Sequence, residues 1–297
     1  FKTILRFYHE KADKKPNAFV KGLSITLIQV AQYHTDASEE KILELKALAS
    51  KLPSVPFDLT EKNKKFLMQC DSQSMRTKLL FLPEQLLNSI AEDLENTRSK
   101  FVNAQVAIAI DVLLVAPVRS QNLIQLNWRQ HFSEPNGPKE NLILRIPAEE
   151  TKTKKQDLVF EIPPDVARRL RWYKNQVLPR LNADPDGDLF VTARGKRKTQ
   201  STFSSQIVRR IGDHVGISMS PHKFRHFAAY IHLEAHPEDF ETVRALLGHS
   251  YSKTTLIYAG SSSRRASRAY GGIVTAQLEA LKLQRPKKPR RKRRANG

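Results

Sequence analysis

Apolar residues recur at helical spacing through the first fifty positions. In NAFVKGLSITLIQVAQYH, Phe19, Leu23, Leu27 and Val30 share one face. SEEKILELKALASKL opens on a serine with the pattern of a cap and repeats Ile42, Leu45 and Leu48. LPSVPFDL, with Pro53 and Pro56, then breaks the pattern and reads as a linker. A second helical block is predicted from FLPEQLLNSIAEDLENT, with Pro83 at its first helical position. Residues 101–116, FVNAQVAIAIDVLLVA, are apolar on every side, which fits a buried helix stopped by Pro117.

The period changes after residue 140. LILRI (142–146) and LVFEI (158–162) are short and partly alternating, and PAEETKTKKQD lies between them. This predicts a β-hairpin with a charged turn. Helical patterns return in PDVARRLRWYKNQVLPRL and in STFSSQIVRRIGDHV, the latter opened by Ser201 or Thr202. The fold class is therefore mainly α with a small antiparallel β-sheet.

Composition narrows the function. The 297 residues, 40% of them hydrophobic, suffice for one large domain or two unequal ones. The formal charge is +20, and removing the eight basic residues of 285–297 still leaves +12. Such an excess points to a polyanion partner, because basic side chains displace counterions from phosphates. No run of apolar residues is long enough for a membrane span, and no segment pairs a basic face with a strongly apolar one. Cys70 is the only cysteine, so an intrachain disulfide framework is excluded and a reducing compartment fits.

The chemistry concentrates in PHKFRHFAAYIHLEAHPEDFETVRALLGHSYSKTTLIY, residues 221–258. Ser220-Pro221 reads as a helix cap and first turn, which puts His222 and Arg225 on one face near a helix start. That arrangement suits an anion. Phe227 and Ile231 are placed to anchor the helix. Gly248 in LLGHS reads as a helix C-cap with His249 opening the next loop, and Tyr258 lies nine residues on. Upstream, Arg119 follows the Ala-Pro break, and Leu123 and Leu126 resume the apolar pattern behind it. The hairpin turn carries Lys152, Lys154 and Lys155. Histidines 222, 226, 232 and 236 invite a zinc hypothesis, but no cysteine or HExxH-like carboxylate completes a ligand set.

Taken in order, RSQNLIQL, TKTKK, HKFRH, LLGHS and SKTTLIY resemble the blocks of the tyrosine recombinases, the phage-type integrase family. The intervals match too, with 103 residues from Arg119 to His222 and 33 from Arg225 to Tyr258. The resemblance implies a catalytic domain over 76–270, preceded by a partial helical core-binding domain and linker over 1–70. A C-terminal exchange helix at 271–284 and a basic disordered tail at 285–297 would follow. It implies a site-specific recombinase that cuts and rejoins DNA through a 3′-phosphotyrosine. In that scheme Tyr258 is the nucleophile, and Arg119 and Arg225 clamp the phosphate. Lys152 protonates the departing 5′-oxygen. His222 handles the tyrosine proton or bonds the phosphate, and His249 bonds the phosphate. Neither a metal nor a cofactor is implied.

The implied partners are double-stranded DNA, three further copies in a homotetramer, and accessory DNA-bending or directionality proteins, in the cytoplasm at the nucleoid. Two features depart from the family pattern. Asn122 stands where an acidic residue is usual, and 1–52 resemble only the later half of the core-binding domain. The alternatives are a non-catalytic DNA-binding relative or a type IB topoisomerase-like strand transferase. Val274, Leu278 and Leu281 would form the apolar face of the exchange helix.

Overall fold

A computed structural model describes residues 1–11, 13, 16–53, 59–91, 98–135, 137, 141–152, 154–249 and 270–277. They divide into two compact units, Phe1–Asp58 and Leu59–Gly297. The first holds three helices, α1 (Lys2–Lys11), α2 (Ala18–His34) and α3 (Glu39–Ser50). Asn17 caps α2 and Ser38 caps α3, each side chain accepting from a first-turn amide.

The second unit is built around α6 (Arg98–Val115), which packs against α5 (Gln73–Ala91). Ala107, Ile108, Ala109, Ile110, Val112 and Leu113 of α6 are all fully buried. That explains its lack of a polar face: it is surrounded by protein. Gln105 and Asp111 are the exceptions: Gln105 accepts from the Val191 amide at 3.1 Å, and Arg169 of α9 (Pro164–Trp172) satisfies Asp111 with two bonds of 2.6 and 2.7 Å.

The start expected at Pro83 is overturned. Helix α5 begins ten residues earlier, and Pro83 lies inside it. Met75, Leu79, Leu82, Leu86 and Ile90 are buried at three- and four-residue intervals. Packing of this continuous stripe outweighs the amide bond that proline cannot make.

The hairpin is present. Strands β2 (Leu142–Ile146) and β3 (Leu158–Ile162) pair antiparallel, with Leu144 opposite Phe160. A third strand, β1 (Phe132–Ser133), flanks β2 and makes the order β1-β2-β3. Two residues give no readable alternation, so the sequence pattern could not reveal it. The connection from β2 to β3 is no simple charged tip either. It contains a 3-10 turn, Ala148–Glu150, whose first amide donates to Asp157.

Helix α10 (Gln200–Val215) starts earlier than Ser201 or Thr202, on a Thr199 cap that accepts from the Thr202 amide. Helices α11 (Lys223–Ala235) and α12 (Phe240–Leu247) follow. Residues 270–277 are helical, with Ile273 exposed.

The α12 terminus has the form expected of Gly248. The His249 amide bonds the Arg244 carbonyl and the Gly248 amide bonds Ala245, a Schellman closure with Gly248 at φ +57°. A Cβ on Gly248 would meet Leu158 Cδ2 at 2.7 Å. Gly248→Ala should therefore lower the thermal midpoint by about 2–6 °C, from about 1–2 kcal/mol of backbone strain and displacement of a buried leucine. Gly248→Asn eases the left-handed strain but keeps a Cβ against Leu158, so it too should melt below the unaltered chain; circular dichroism melts of the three proteins check both losses.

Candidate functional site

Helix α11 is fixed before it contributes anything to the site. Phe224 and Leu233 are fully buried, Phe227 is buried and Ile231 packs partly buried against the core. Three polar links lash the helix to α4 (Glu61–Cys70) and the residues after it. Asn63 bonds His226 at 3.2 Å, Tyr230 donates to Asp71 at 2.5 Å, and Arg76 donates to Glu234 at 2.5 Å.

The helix begins at Lys223, not Pro221. Residues 220–222 form a tight turn in which the Lys223 amide bonds the Ser220 carbonyl, and the Ser220 side chain does not cap. The proline opens the turn, and regular helix starts only after His222. Lys223 steadies this entry, donating to the Ser218 carbonyl at 2.6 Å and lying 4.8 Å from the Phe66 ring centroid.

One helical turn on, Arg225 is only 3% exposed. Its Nη1 donates to the Pro117 carbonyl at 2.8 Å and its Nη2 to the Leu247 carbonyl at 2.6 Å. Those carbonyls belong to segments far apart in sequence. Pro117 lies two residues before Arg119, and Leu247 two residues before His249. A single guanidinium thus draws three segments together.

Arg119 precedes the short helix α7 (Ser120–Gln125), with extended backbone at φ −69° and ψ 151°. Leu123 and Leu126 are buried behind it, as their spacing predicted. Among the described residues, its buried Nη1 has no hydrogen-bond partner. Burial also pulls the Arg119 pKa below its ordinary value. A buried cationic donor is unfavourable until an acceptor meets it, and an anion does so well.

Arg119 lines a cleft of about 440 Å³ together with Asn122, Glu150, Lys152 and Lys154. Asn122 is 3% exposed and donates from Nδ2 to the Glu150 carbonyl at 2.9 Å. The residue that departs from the family pattern therefore bonds the main chain two positions before Lys152.

The histidines report the same convergence electrostatically. Burial lowers the His222 pKa, and the charges of Arg225, Arg119 and Lys152 add to the effect. Burial, then Arg225 and Arg119, take His249 down to about 4. Burial, His222 and Arg225 take His226 to about 4. All three are neutral near pH 7. Arg119, His222, Arg225 and His249 are thus brought together, with Lys152 at the edge of the group. Tyr258 lies outside the described residues, as do 278–297.

Two residues of this region escaped the sequence reading. Asn63 reaches His226 across 163 positions, and His131 bonds the Glu150 carboxylate from Nε2 at 3.0 Å. Neither sits in a motif, so no local signal could have found them. Among the described residues, no cluster has the makings of a metal site. His232 bonds Asp239 at 3.0 Å.

The depressed histidine pKa values set a pH dependence. His226 and His249 titrate near 4 when folded but near an ordinary 6.5 when unfolded. The unfolded chain takes up protons first as the pH drops. Stability is then full above about 6.5 and declines as the pH falls through the interval down to about 4. Urea unfolding across that interval should show a falling midpoint, and His226→Gln should make the decline shallower. A midpoint independent of pH would contradict this electrostatic picture.

The phage integrase family model matches residues 64–265, more than half of the chain. Tyrosine recombinase XerA of Pyrococcus horikoshii is 27% identical over 207 residues, 67% of this chain and 66% of that protein. Tyrosine recombinase XerC of Pseudomonas fluorescens is 36% identical over 95 residues, which are 31% of this chain and 32% of the relative. The match thus spans about a third of the latter's length. Among solved structures, XerH recombinase in a post-cleavage complex with its palindromic difH substrate superposes with a TM-score of 0.55 at 19% identity, covering 90% of this chain and 70% of that one. That likeness concerns the fold, a mainly helical protein with a small three-stranded antiparallel sheet and an N-terminal helical domain. With residues 64–265 matched, most of its second unit, the chain belongs to the phage integrase family, the tyrosine recombinases.

Proposed function

We propose that the chain is a site-specific DNA recombinase that breaks and rejoins strands through a 3′-phosphotyrosine intermediate. One observation carries the reading: Nη1 of Arg119, buried and without a partner among the described residues, sits in a positive, partly buried site shared with Arg225, His222 and His249. That site is built to receive an anion. The strongly basic chain supplies the attraction to DNA. XerH, which shares the fold, was solved on a DNA substrate.

In this reading one phosphodiester of the strand binds between Arg119 and Arg225. Their fixed charges stabilise the pentavalent transition state, whose negative charge exceeds that of the ground state. Tyr258 Oη attacks phosphorus as the bond to O5′ breaks. His222, neutral because of burial and its cationic neighbours, takes up the phenol proton or bonds a phosphate oxygen. Lys152 delivers a proton to O5′. His249, also neutral, donates a hydrogen bond to a phosphate oxygen. The phosphotyrosine preserves the energy of the broken bond, so a 5′-hydroxyl of either strand reverses the step without ATP. Four copies working on two duplexes, with accessory DNA-bending proteins, would complete an exchange.

Nicked duplexes drawn from a random-sequence pool trap the intermediate, because the short 5′ fragment diffuses away. The intact chain should form a denaturant-stable DNA adduct that maps to Tyr258, and Tyr258→Phe should form none. Arg119→Ala should slow adduct formation by about 10²–10³, the loss typical of one transition-state donor. Failure to recover any adduct from the pool, or an adduct retained by Tyr258→Phe, would refute the mechanism.

A further inference from the structure

The turn that carries Lys152 is held at two points, and only one of them is a backbone contact. The Glu150 carbonyl accepts from Asn122 of α7, the helix that follows Arg119 directly. The Glu150 carboxylate accepts from His131 Nε2 at 3.0 Å. His131 closes α8 (Trp128–His131), and its side chain is 1% exposed. The Asn127 amide donates to His131 Nδ1 at 3.0 Å, which leaves the ring proton on Nε2, facing Glu150.

The ring is backed in turn. Asn127 Nδ2 donates to Asp188 at 3.3 Å, and Arg197 donates to the same Asp188 oxygen at 2.6 Å. Thr151 tightens the turn further, donating to the Ala148 carbonyl at 2.8 Å and accepting from the Lys154 amide at 3.1 Å. Glu150 itself lines the Arg119 cleft beside Lys152.

We propose that Glu150 and His131 are positioning residues, which hold this turn so that Lys152 meets the leaving 5′-oxygen of a phosphate bound at Arg119. The inference rests on the strand-cleavage reading above. A lysine on a flexible stem is a poor proton donor unless its backbone is placed, because each loose torsion dilutes the productive geometry. Asn122 fixes the main chain of the turn relative to Arg119. The Glu150–His131 bond fixes its rotation about that point.

A leaving group that needs no proton separates this role from a merely structural one. A 5′-bridging sulfur departs as a thiolate of pKa about 8.5 and does not depend on a general acid. On the ordinary oxygen substrate, Glu150→Ala should form adduct about 10–100-fold more slowly than the unaltered chain, with DNA affinity retained. On the sulfur substrate the two proteins should react within about threefold of each other, as Lys152→Ala should too. Glu150→Gln keeps an acceptor for His131 Nε2 and should restore most of the oxygen-substrate rate. The double variant Glu150→Ala, His131→Ala should be no slower than the worse single variant.

Equal losses on oxygen and sulfur would overturn the inference, as would full activity of Glu150→Ala on oxygen. If the unaltered chain forms no adduct on either substrate, the cleavage reading falls, and this inference falls with it. A normal adduct with Glu150→Ala unaffected defeats the positioning role alone.

Discussion

Arg225 carries a full positive charge at 3% exposure, and two backbone carbonyls hold it there. Burying a guanidinium is costly unless its donors are met. Here the acceptors come from the turn before α7 and from the end of α12. Satisfying the charge therefore requires that both segments arrive at α11 in one arrangement. Arg119 and His249 follow those carbonyls by two residues each, so the same requirement sets where they stand. The site is thus a consequence of how the fold accommodates one buried cation.

The cluster that results is positive and partly buried, with Arg225 and His226 innermost and His222 at its exposed edge. Its charges and its burial act in the same direction on His222, His226 and His249, and all three stay neutral. A bound phosphate would reverse part of this by placing negative charge among them. Neutral imidazoles beside fixed guanidinium charges give a division of labour: the arginines supply charge, and the histidines remain able to accept or share protons. Arg119 keeps a buried Nη1 without a partner among the described residues.

Much of the second unit was legible because its signals are local. The apolar run of α6, the strands 142–146 and 158–162, and the glycine closing α12 each depend on residues within a few positions. The misreadings share one cause. Pro83 looked like a helix start because its local effect was weighed alone, whereas the buried stripe from Met75 to Ile90 carries the helix through it. The two-residue β1 has too few positions to show a period, and its pairing with β2 is a tertiary fact. Asn122, which departs from the family pattern, ties α7 to the Glu150 carbonyl through its amide, a bond across 28 positions that no spacing rule anticipates.

By itself the sequence determined the chemistry on offer: the order of arginines, histidines, lysine and tyrosine, the basic excess, and the alternation of helical and strand periods. These depend on side-chain identity and short-range spacing. Tertiary structure decided which of those groups share a site and in what protonation state. Only folding brings Pro117, Arg225 and Leu247 within hydrogen-bonding distance, and only burial, with the guanidinium charges it gathers, shifts the histidines. Both effects depend on the low-dielectric interior and on contacts between distant segments, which a linear pattern does not encode.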